Sequence, residues 1–385
     1  MKAANAVLSG YGTTIFEVMS RLAMEAEAIN LGQGFPDEDG PEEIRRLAAQ
    51  AVVDGPNQYP PMLGLPELRR AVAEHERRFY GLEVDWQNEV MVTSGATEAL
   101  ADCLFGLIEP GDEVVVIEPL YDSYLPIIRR AGGIARPVKV TPPDWALPRE
   151  ALSAAFSERT KLIVLNNPMN PAAKVFDEEE LAFIAELVER HDAYALCDEV
   201  YEHIVFDGRP HRPLITFPGM RERALKIGSA GKTFSVTGWK VGYVTAAPAL
   251  LKPVAKAHQF ITFTTPPNLQ KAVAFGLGQD DAYYGGLVAE LQRKRDLMAT
   301  GLEEIGFGVI DCQGTYFITA DIGSLASNED DVAFCRRITT QARVAAVPVS
   351  AFYLDTDQRR FIRFCFSKKD AVLEEALTRL RHYFS

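Results

Sequence analysis

Lys226-Ile227-Gly228-Ser229-Ala230-Gly231-Lys232-Thr233-Phe234-Ser235-Val236-Thr237-Gly238-Trp239-Lys240-Val241-Gly242-Tyr243 is the stretch that decides how the chain is read. A short strand from Ala224 to Ile227 runs into a loop of small residues, and a second apolar run begins at Val241. Lys232 stands in that loop beside Ala230, Gly231 and Thr233. A lysine kept only for solubility needs no such neighbours. A lysine that bonds covalently to a bulky flat ligand does, because backbone and ligand must approach closely. Ser229 precedes it by three residues and Lys240 follows by eight. Two cations and a hydroxyl in so short a span suit a phosphate.

Working outward, the preceding segments alternate. Ala193 to Cys197 is an apolar run that ends at Asp198-Glu199-Val200-Tyr201. Before it, the spacing predicts a helix from Glu178 to Arg190 with acids in its first turn, where the helix dipole favours them. Lys161 to Leu165 is β-rich and closes on Asn166-Asn167-Pro168-Met169-Asn170-Pro171. Glu113 to Ile117 is a strand closed by Glu118-Pro119-Leu120-Tyr121, with a helix and a strand around Pro137 to Val140 after it. Glu89 to Thr93 is the first of the series. It leads into Ser94-Gly95-Ala96-Thr97-Glu98, which opens a helix to about Leu107. Strands spaced by helices predict an α/β fold with a mostly parallel sheet covered on both faces. Ligands bind at the carboxyl ends of such strands. Tyr121, Asn166, Asp198 and Ser229 all fall just after a strand. Gly95, Ala96 and Thr97 leave amides free for an anion at a helix start, although the plainer reading is that Ser94 or Thr97 caps the helix.

At the N-terminus a helix is predicted from Thr14 to Ala28, then a loop, Ile29-Asn30-Leu31-Gly32-Gln33-Gly34-Phe35-Pro36-Asp37. Gly34 allows a backbone amide to face a ligand without a side chain in the way. Asn57-Gln58-Tyr59-Pro60-Pro61-Met62-Leu63-Gly64 is a rigid loop presenting an aromatic, and a helix from Leu65 to Tyr80 follows. After about residue 280 the texture changes. A long amphipathic helix spans Tyr283 to about Ile305. Gly314 to Ala320, Val344 to Val347 and Phe361 to Phe366 read as strands, and Asp331 to Gln341 and Ala371 to His382 as helices. The expected division is a segment over 1–40 packing with a smaller domain, a large ligand-binding domain over 41–280, and a smaller α+β domain over 281–385.

The Ser-x-x-Lys run followed by Thr-Gly-Trp-Lys-x-Gly-Tyr resembles the lysine segment of the class I and II aminotransferases of fold type I, which use pyridoxal 5′-phosphate. The resemblance implies that Lys232 forms the covalent bond to the cofactor and then shuttles a proton. It implies that Asp198 faces the ring nitrogen and that Asn170 and Tyr201 hydrogen-bond the ring's phenolic oxygen. Tyr121 would stack on the ring. Asn166 belongs to the asparagine-proline motif and shapes its loop. Gly95, Ala96, Thr97, Ser229 and Lys240 would hold the phosphate. Tyr59 would reach a phosphate across the interface of a homodimer. Arg363, a cation inside the apolar strand Phe361-Ile362-Arg363-Phe364-Cys365-Phe366, would bind the substrate α-carboxylate by a two-pronged contact, with Gly34 and Asn170 beside it. Its plainer reading is an internal salt bridge. Leu31 to Asp37 and Val244 to Pro267 look most like the branch of kynurenine and glutamine transaminase K and the bacterial methionine aminotransferases. The sequence departs from the family at Asn167 and Met169, and Ala172-Ala173 replace a glycine-bearing tail, so the loop is expected to differ there.

The chain has 385 residues, 47% hydrophobic and 24% charged, with a net charge of −13. The acidity argues against nucleic acid and anionic membrane as partners. Five scattered cysteines look reduced, as in a cytoplasmic protein, and form no zinc or disulfide pattern. No stretch reads as a signal peptide or a membrane span, and no metal site is expected. A carbon–sulfur β-lyase on cysteine conjugates shares the same carbanion chemistry. A non-catalytic cofactor-binding regulator lacks an appended DNA-binding region here, and a nicotinamide dehydrogenase lacks its glycine fingerprint. No second arginine is evident for a side-chain carboxylate. Tyr11, Ile15, Phe263, Thr264 and Phe352 are the expected apolar lining, drawn from the N-terminal region and a partner chain. Amino donors such as methionine, glutamine, phenylalanine or kynurenine are therefore expected, with a 2-oxo acid as acceptor.

Overall fold

The computed structural model describes residues 2–326 and 328–385. Thirteen strands fall into three sheets among the described residues. In chain order they are β1 (Ile29–Asn30), β2 (Val90–Thr93), β3 (Glu113–Glu118), β4 (Ile134–Lys139), β5 (Thr160–Asn166), β6 (Tyr194–Asp198), β7 (Ala224–Ser229), β8 (Gly242–Ala246), β9 (Gly308–Val309), β10 (Phe317–Asp321), β11 (Val344–Ala345), β12 (Val347–Pro348) and β13 (Phe361–Cys365).

The largest sheet has the order β2-β8-β7-β6-β5-β3-β4. Its pairs are parallel except where β8 runs antiparallel to β2 and β7. Every residue of β3, β7 and β8 is buried, as expected of strands covered on both faces. β4 is an edge strand with an exposed face. That position explains how it tolerates Pro137, which cannot donate to a ladder, and why it starts at Ile134, three residues before the run visible in the sequence.

Helix Glu178–Arg190 closes its first turn with a complete capping box between Asp177 and Glu180. Two helices escape the sequence reading, Pro248–Ile261 and Pro267–Leu277. Their prolines look like breakers. Pro248 and Pro267 instead occupy first-turn positions, where a missing N–H costs nothing. Helix Pro248–Ile261 packs along helix Ala96–Leu107.

In the C-terminal part, β12, β13, β10 and β9 form an antiparallel sheet. The strand expected over Val344 to Val347 divides in two. β11 pairs in parallel with β1, while β12 crosses to β13. The helix expected from Asp331 to Gln341 also changes form. It is α-helical over Asp331–Arg337 and widens into a π-turn over Ile338–Ala342. There the hydroxyls of Thr339 and Thr340 donate to the carbonyls of Cys335 and Arg336, four residues back, a bond that competes with the helix ladder.

Candidate active site

The parallel register aligns the carboxyl ends of the central strands. Asn166 ends β5, Asp198 ends β6 and Ser229 ends β7, with Asn166 opposite Asp198 and Asp198 opposite Ile227. Tyr121 lies three residues beyond β3. A cavity of about 360 Å³ opens at this edge. Its lining includes Gly34, Gly95, Ala96, Thr97, Tyr121, Asn166, Asn170, Asp198, Tyr201, Ser229, Lys232, Lys240 and Arg363. Of the residues expected to hold the cofactor or the substrate carboxylate, only Tyr59 lies outside it. Tyr59 is 83% exposed and packs edge-on against Phe263 at 5.6 Å.

Lys232 sits on a single helical turn, Ala230–Thr233, rather than in a loop. Ser229 caps that turn by accepting the amide of Gly231. Lys232 Nζ donates to Tyr316 Oη at 3.0 Å, and Tyr316 donates to the carbonyl of Gly34 at 2.8 Å. Burial pulls the Lys232 amine down to about 8, against the opposing charge of Asp198.

Asp198 is buried and accepts the Tyr124 hydroxyl on Oδ2 at 2.6 Å. Its Oδ1 is buried and has no partner among the described residues. Burial raises its pKa, and the bonds from Tyr124 and the Val200 amide pull it back. Asn166 holds the loop behind it. Its amide donates to the Asp198 carbonyl, and its Oδ1 accepts the backbone N–H of Asn170.

Arg363 is 1% exposed. Nη1 donates to Asn170 Oδ1 at 2.7 Å and Nη2 to the Gly32 carbonyl at 2.9 Å. Nε is buried without a partner among the described residues. The guanidinium lies 3.8 Å from the Phe317 ring centre and 5.3 and 5.2 Å from those of Phe16 and Phe352. Among the described residues no ion pair within 4.0 Å involves it, so the plainer reading, an internal salt bridge, does not hold there. Burial pulls its pKa down to about 10.

The anion end is built by close approach. The amides of Ala96 and Thr97 open helix Ala96–Leu107 after Gly95, whose φ of 81° suits glycine. A Cβ on Gly242 would stand 2.7 Å from the Gly95 carbonyl carbon, so that position must be bare. Lys240 lies against Gly95. These amides, the Ser229 hydroxyl and the Lys240 ammonium could hold a phosphate. Gly34 has a second reason to lack a side chain, since a Cβ there would meet the Phe317 ring at 2.6 Å. In the asparagine-proline loop, Ala173 takes a left-handed φ of 59° where the family tail carries glycine.

Sequence reasoning misses Tyr124, Tyr316, Phe317 and Phe16. Tyr124 falls within a turn of Tyr121, the only cue available. Tyr316 and Phe317 lie in an expected strand with no mark of function. The expected lining is corrected in part. Phe16 rather than Ile15 faces the cavity, because Thr14 caps a helix that starts at Ile15 and sets its phase. Phe352 packs on Phe16 at 5.5 Å. Tyr11 lies instead on Arg129, its hydroxyl 3.1 Å from Nη1. Neither Arg21 nor Arg293 supplies a second arginine for a side-chain carboxylate, since Arg293 is held by Glu290 and Asp370 and Arg21 is not among the lining residues.

Among the described residues the cavity thus gathers a buried amine, a carboxylate oxygen with no donor and a guanidinium with no ion pair. The sequence profile described as Aminotransferase class I and II matches residues 26–380. A probable N-succinyldiaminopimelate aminotransferase from Mycobacterium tuberculosis is 43% identical, with 97% of this chain and 96% of that protein covered. A kynurenine–oxoglutarate transaminase from Dictyostelium discoideum is 37% identical over 96% of this chain and 93% of that one. The crystal structure of a methionine aminotransferase from Escherichia coli superposes with a TM-score of 0.96 at 40% identity, covering 99% of this chain and all of that one.

Proposed function

The chain belongs to the class I and II aminotransferases, fold type I enzymes that use pyridoxal phosphate, and on that premise we propose that it moves the amino group of an L-amino acid with a methionine-, glutamine-, aromatic- or kynurenine-like side chain to a 2-oxo acid. Pyridoxal phosphate, when bound, supplies the electron sink that lets an amino acid lose its Cα proton. Lys232 is the residue we assign to hold it covalently. Once freed by the substrate amine, Lys232 Nζ is the base that takes the Cα proton and returns it on the other side of the reaction. Asp198 Oδ1 is left free for a protonated ring nitrogen. Tyr201 and Asn170 are assigned to the phenolic oxygen, Tyr121 to the ring face, and Gly95, Ala96, Thr97, Ser229 and Lys240 to the phosphate.

The observation that carries the reading is Arg363. A buried guanidinium that meets only neutral oxygens and aromatic faces is short of one anion. An α-carboxylate supplies it. Side-chain preference follows from what else lines the cavity. Its cations are Lys232, Lys240 and Arg363, each with an assigned task, while Phe16, Phe35 and Phe317 form an apolar wall and Asp122 adds a negative charge. Burying a second carboxylate there without a partner costs several kcal/mol. A donor panel with one fixed acceptor tests this. Methionine or phenylalanine is expected to lead, and the highest kcat/KM for aspartate would overturn the preference. Release of pyruvate and ammonia from a cysteine conjugate, without transamination, would point to the β-lyase instead.

The pKa of about 8 on Lys232 predicts a pH effect on loading. Below it the amine is protonated and cannot attack a carbonyl. Capture of pyridoxal phosphate by the apoenzyme is therefore expected to accelerate as pH rises through about 8 and then level off. A rate flat from pH 6 to 9 would contradict the free-amine role.

Tyr316→Phe removes the acceptor of the Lys232 bond and unties the Gly34 carbonyl. The expected loss is about 1–1.5 kcal/mol, roughly tenfold in kcat/KM, with cofactor affinity little changed. Unchanged kinetics would leave Tyr316 as packing alone.

We also infer a homodimer. Tyr59 packs on Phe263, and Tyr59 and Phe260 are each more than 80% exposed, which suits a covered interface better than solvent. Mixed dimers of Lys232→Ala with Tyr59→Phe test whether Tyr59 serves the partner's phosphate. If it acts across the interface, one of the two sites has wild-type cofactor affinity. If no site does, the assignment fails. The division at 40 and 280 is kept as our reading, supported by the helix that starts at Asp281 and by the pairing of β1 with β11. A cytoplasmic location is kept too, on the ground that all five cysteines are free and buried.

A further inference from the structure

A buried polar cluster that includes the far end of β7 has no part in the reaction. Lys226 Nζ lies 2.7 Å from both Glu76 Oε1 and Glu202 Oε2. Tyr80 donates to the same Glu202 Oε2 at 2.7 Å. Glu199, also buried, meets His211 at 2.9 Å. Beside them His75 Nε2 and His203 Nε2 stand 2.6 Å apart. At that distance one ring gives its N–H to the lone pair of the other. One ligand atom each from His75, Glu202 and His203 lie within 4.8 Å of one another.

Two further features of the cluster bear on what it could hold. His75 Nδ1 and Glu76 Oε2 are buried and lack partners among the described residues. Three buried carboxylates, Glu76, Glu199 and Glu202, lie near one lysine; Glu76 and Glu202 contact it, burial raises the pKa of Glu76, and Glu199 pairs with His211. Access exists as well. His203 lines an open cleft of about 690 Å³ together with Tyr284, Gln292 and Asp296.

We propose that His75, His203 and Glu202 bind one divalent transition metal ion of the zinc class, admitted through the cleft beside Tyr284. Imidazole and carboxylate donors select Zn²⁺ or Co²⁺ over Mg²⁺ and Ca²⁺. Glu202 offers Oε1, whose one contact is a long 3.5 Å approach from the Tyr243 hydroxyl. Two nitrogens at about 2.0–2.1 Å from a tetrahedral ion stand roughly 3.3 Å apart, so the rings separate by ~0.7 Å. The N–H now between the two Nε2 atoms moves through solvent to an Nδ1, with no change in ring charge.

The test uses holoenzyme dialysed against EDTA and titrated with Co²⁺, then Zn²⁺. One Co²⁺ per protomer is expected, with the visible absorption of a four- or five-coordinate ion, displaced by Zn²⁺ and leaving the cofactor band unchanged. His75→Gln and His203→Gln are each expected to weaken binding by at least the about 10–100-fold that loss of a supporting partner costs a metal site. His382→Gln, on the C-terminal helix, is expected to bind as wild type. No saturable binding at micromolar metal, or binding undiminished in both cluster variants, overturns the proposal. Should a variant fail to fold, the wild-type Co²⁺ protein decides. Two paramagnetically shifted imidazole N–H resonances support the site, and fewer than two overturn it.

Discussion

Lys232→Ala is expected to fold and to lose transamination by at least about 10⁴-fold, since it removes both the covalent anchor and the proton-transferring base. The cofactor should remain weakly bound through the anion end of the cavity, which the substitution leaves intact. Small primary amines in the medium should restore part of the rate, because they replace the missing base without the missing side chain. Lys240 is the other lysine that lines the cavity. It lies at Gly95, on the phosphate side of the cavity. Borohydride reduction of wild-type holoenzyme followed by peptide mapping therefore separates the two, and trapping at Lys240 would sink the assignment. Stability gives an independent readout. The folded amine has a pKa of about 8 against an ordinary 10.5. Between those values the unfolded chain binds more protons, so apoenzyme stability rises with pH across that window and the full penalty is present below about 8. Removing the buried amine should stabilise the apoenzyme at neutral pH by on the order of 3 kcal/mol. The gain should shrink as pH climbs towards 10.

The parts of this site that the sequence makes legible are those fixed by chemistry within a few residues. A lysine among small residues, a carboxylate at a strand end and glycine before a helix each carry a local signature. Parallel pairing then brings Asn166, Asp198 and Ser229 to one edge, because every strand in β5-β6-β7 ends on the same side. The illegible parts arise from long-range packing. Tyr316 meets Lys232 across 84 positions, and Arg363 meets Asn170 across 193. Nothing near Tyr316 in the sequence marks it. Arg363 was visible only because a cation interrupts an apolar strand. Pro248 and Pro267 helped hide two helices for the opposite reason, since first-turn proline and breaking proline look alike without their neighbours, and Pro253 lies inside the first of them. The split of Val344 to Val347 between two sheets likewise depends on β1, more than 300 residues earlier, and no local period encodes it.

Asp198→Asn is the second change with a large expected effect, and it keeps the shape of the site. The asparagine oxygen can still accept the Tyr124 hydroxyl, which now donates to Oδ2 at 2.6 Å. Asp198 Oδ1, buried and without a partner, becomes an amide that can only donate. A carboxylate at that point favours a proton on the ring nitrogen facing it. An amide donor favours the bare nitrogen and so withdraws the positive charge that accepts electrons from Cα. Removing one member of a buried ion pair costs about 3–5 kcal/mol. At 1.36 kcal/mol per decade that is roughly 10²–10⁴-fold in kcat. The fold and the Lys232 bond should persist, so the cofactor should still load at near wild-type stoichiometry. Tyr124→Phe provides the graded comparison. It leaves the charge and removes one hydrogen bond that orients it, for an expected loss of about 1.5–3 kcal/mol because the acceptor is ionised. One cofactor analogue separates charge from geometry. With a ring carbon in place of the nitrogen, wild type and Asp198→Asn should become equally slow, because the carboxylate has nothing left to protonate. A wild-type advantage that survives with the carbon analogue would show that Asp198 acts through the shape of the loop, not through the ring nitrogen.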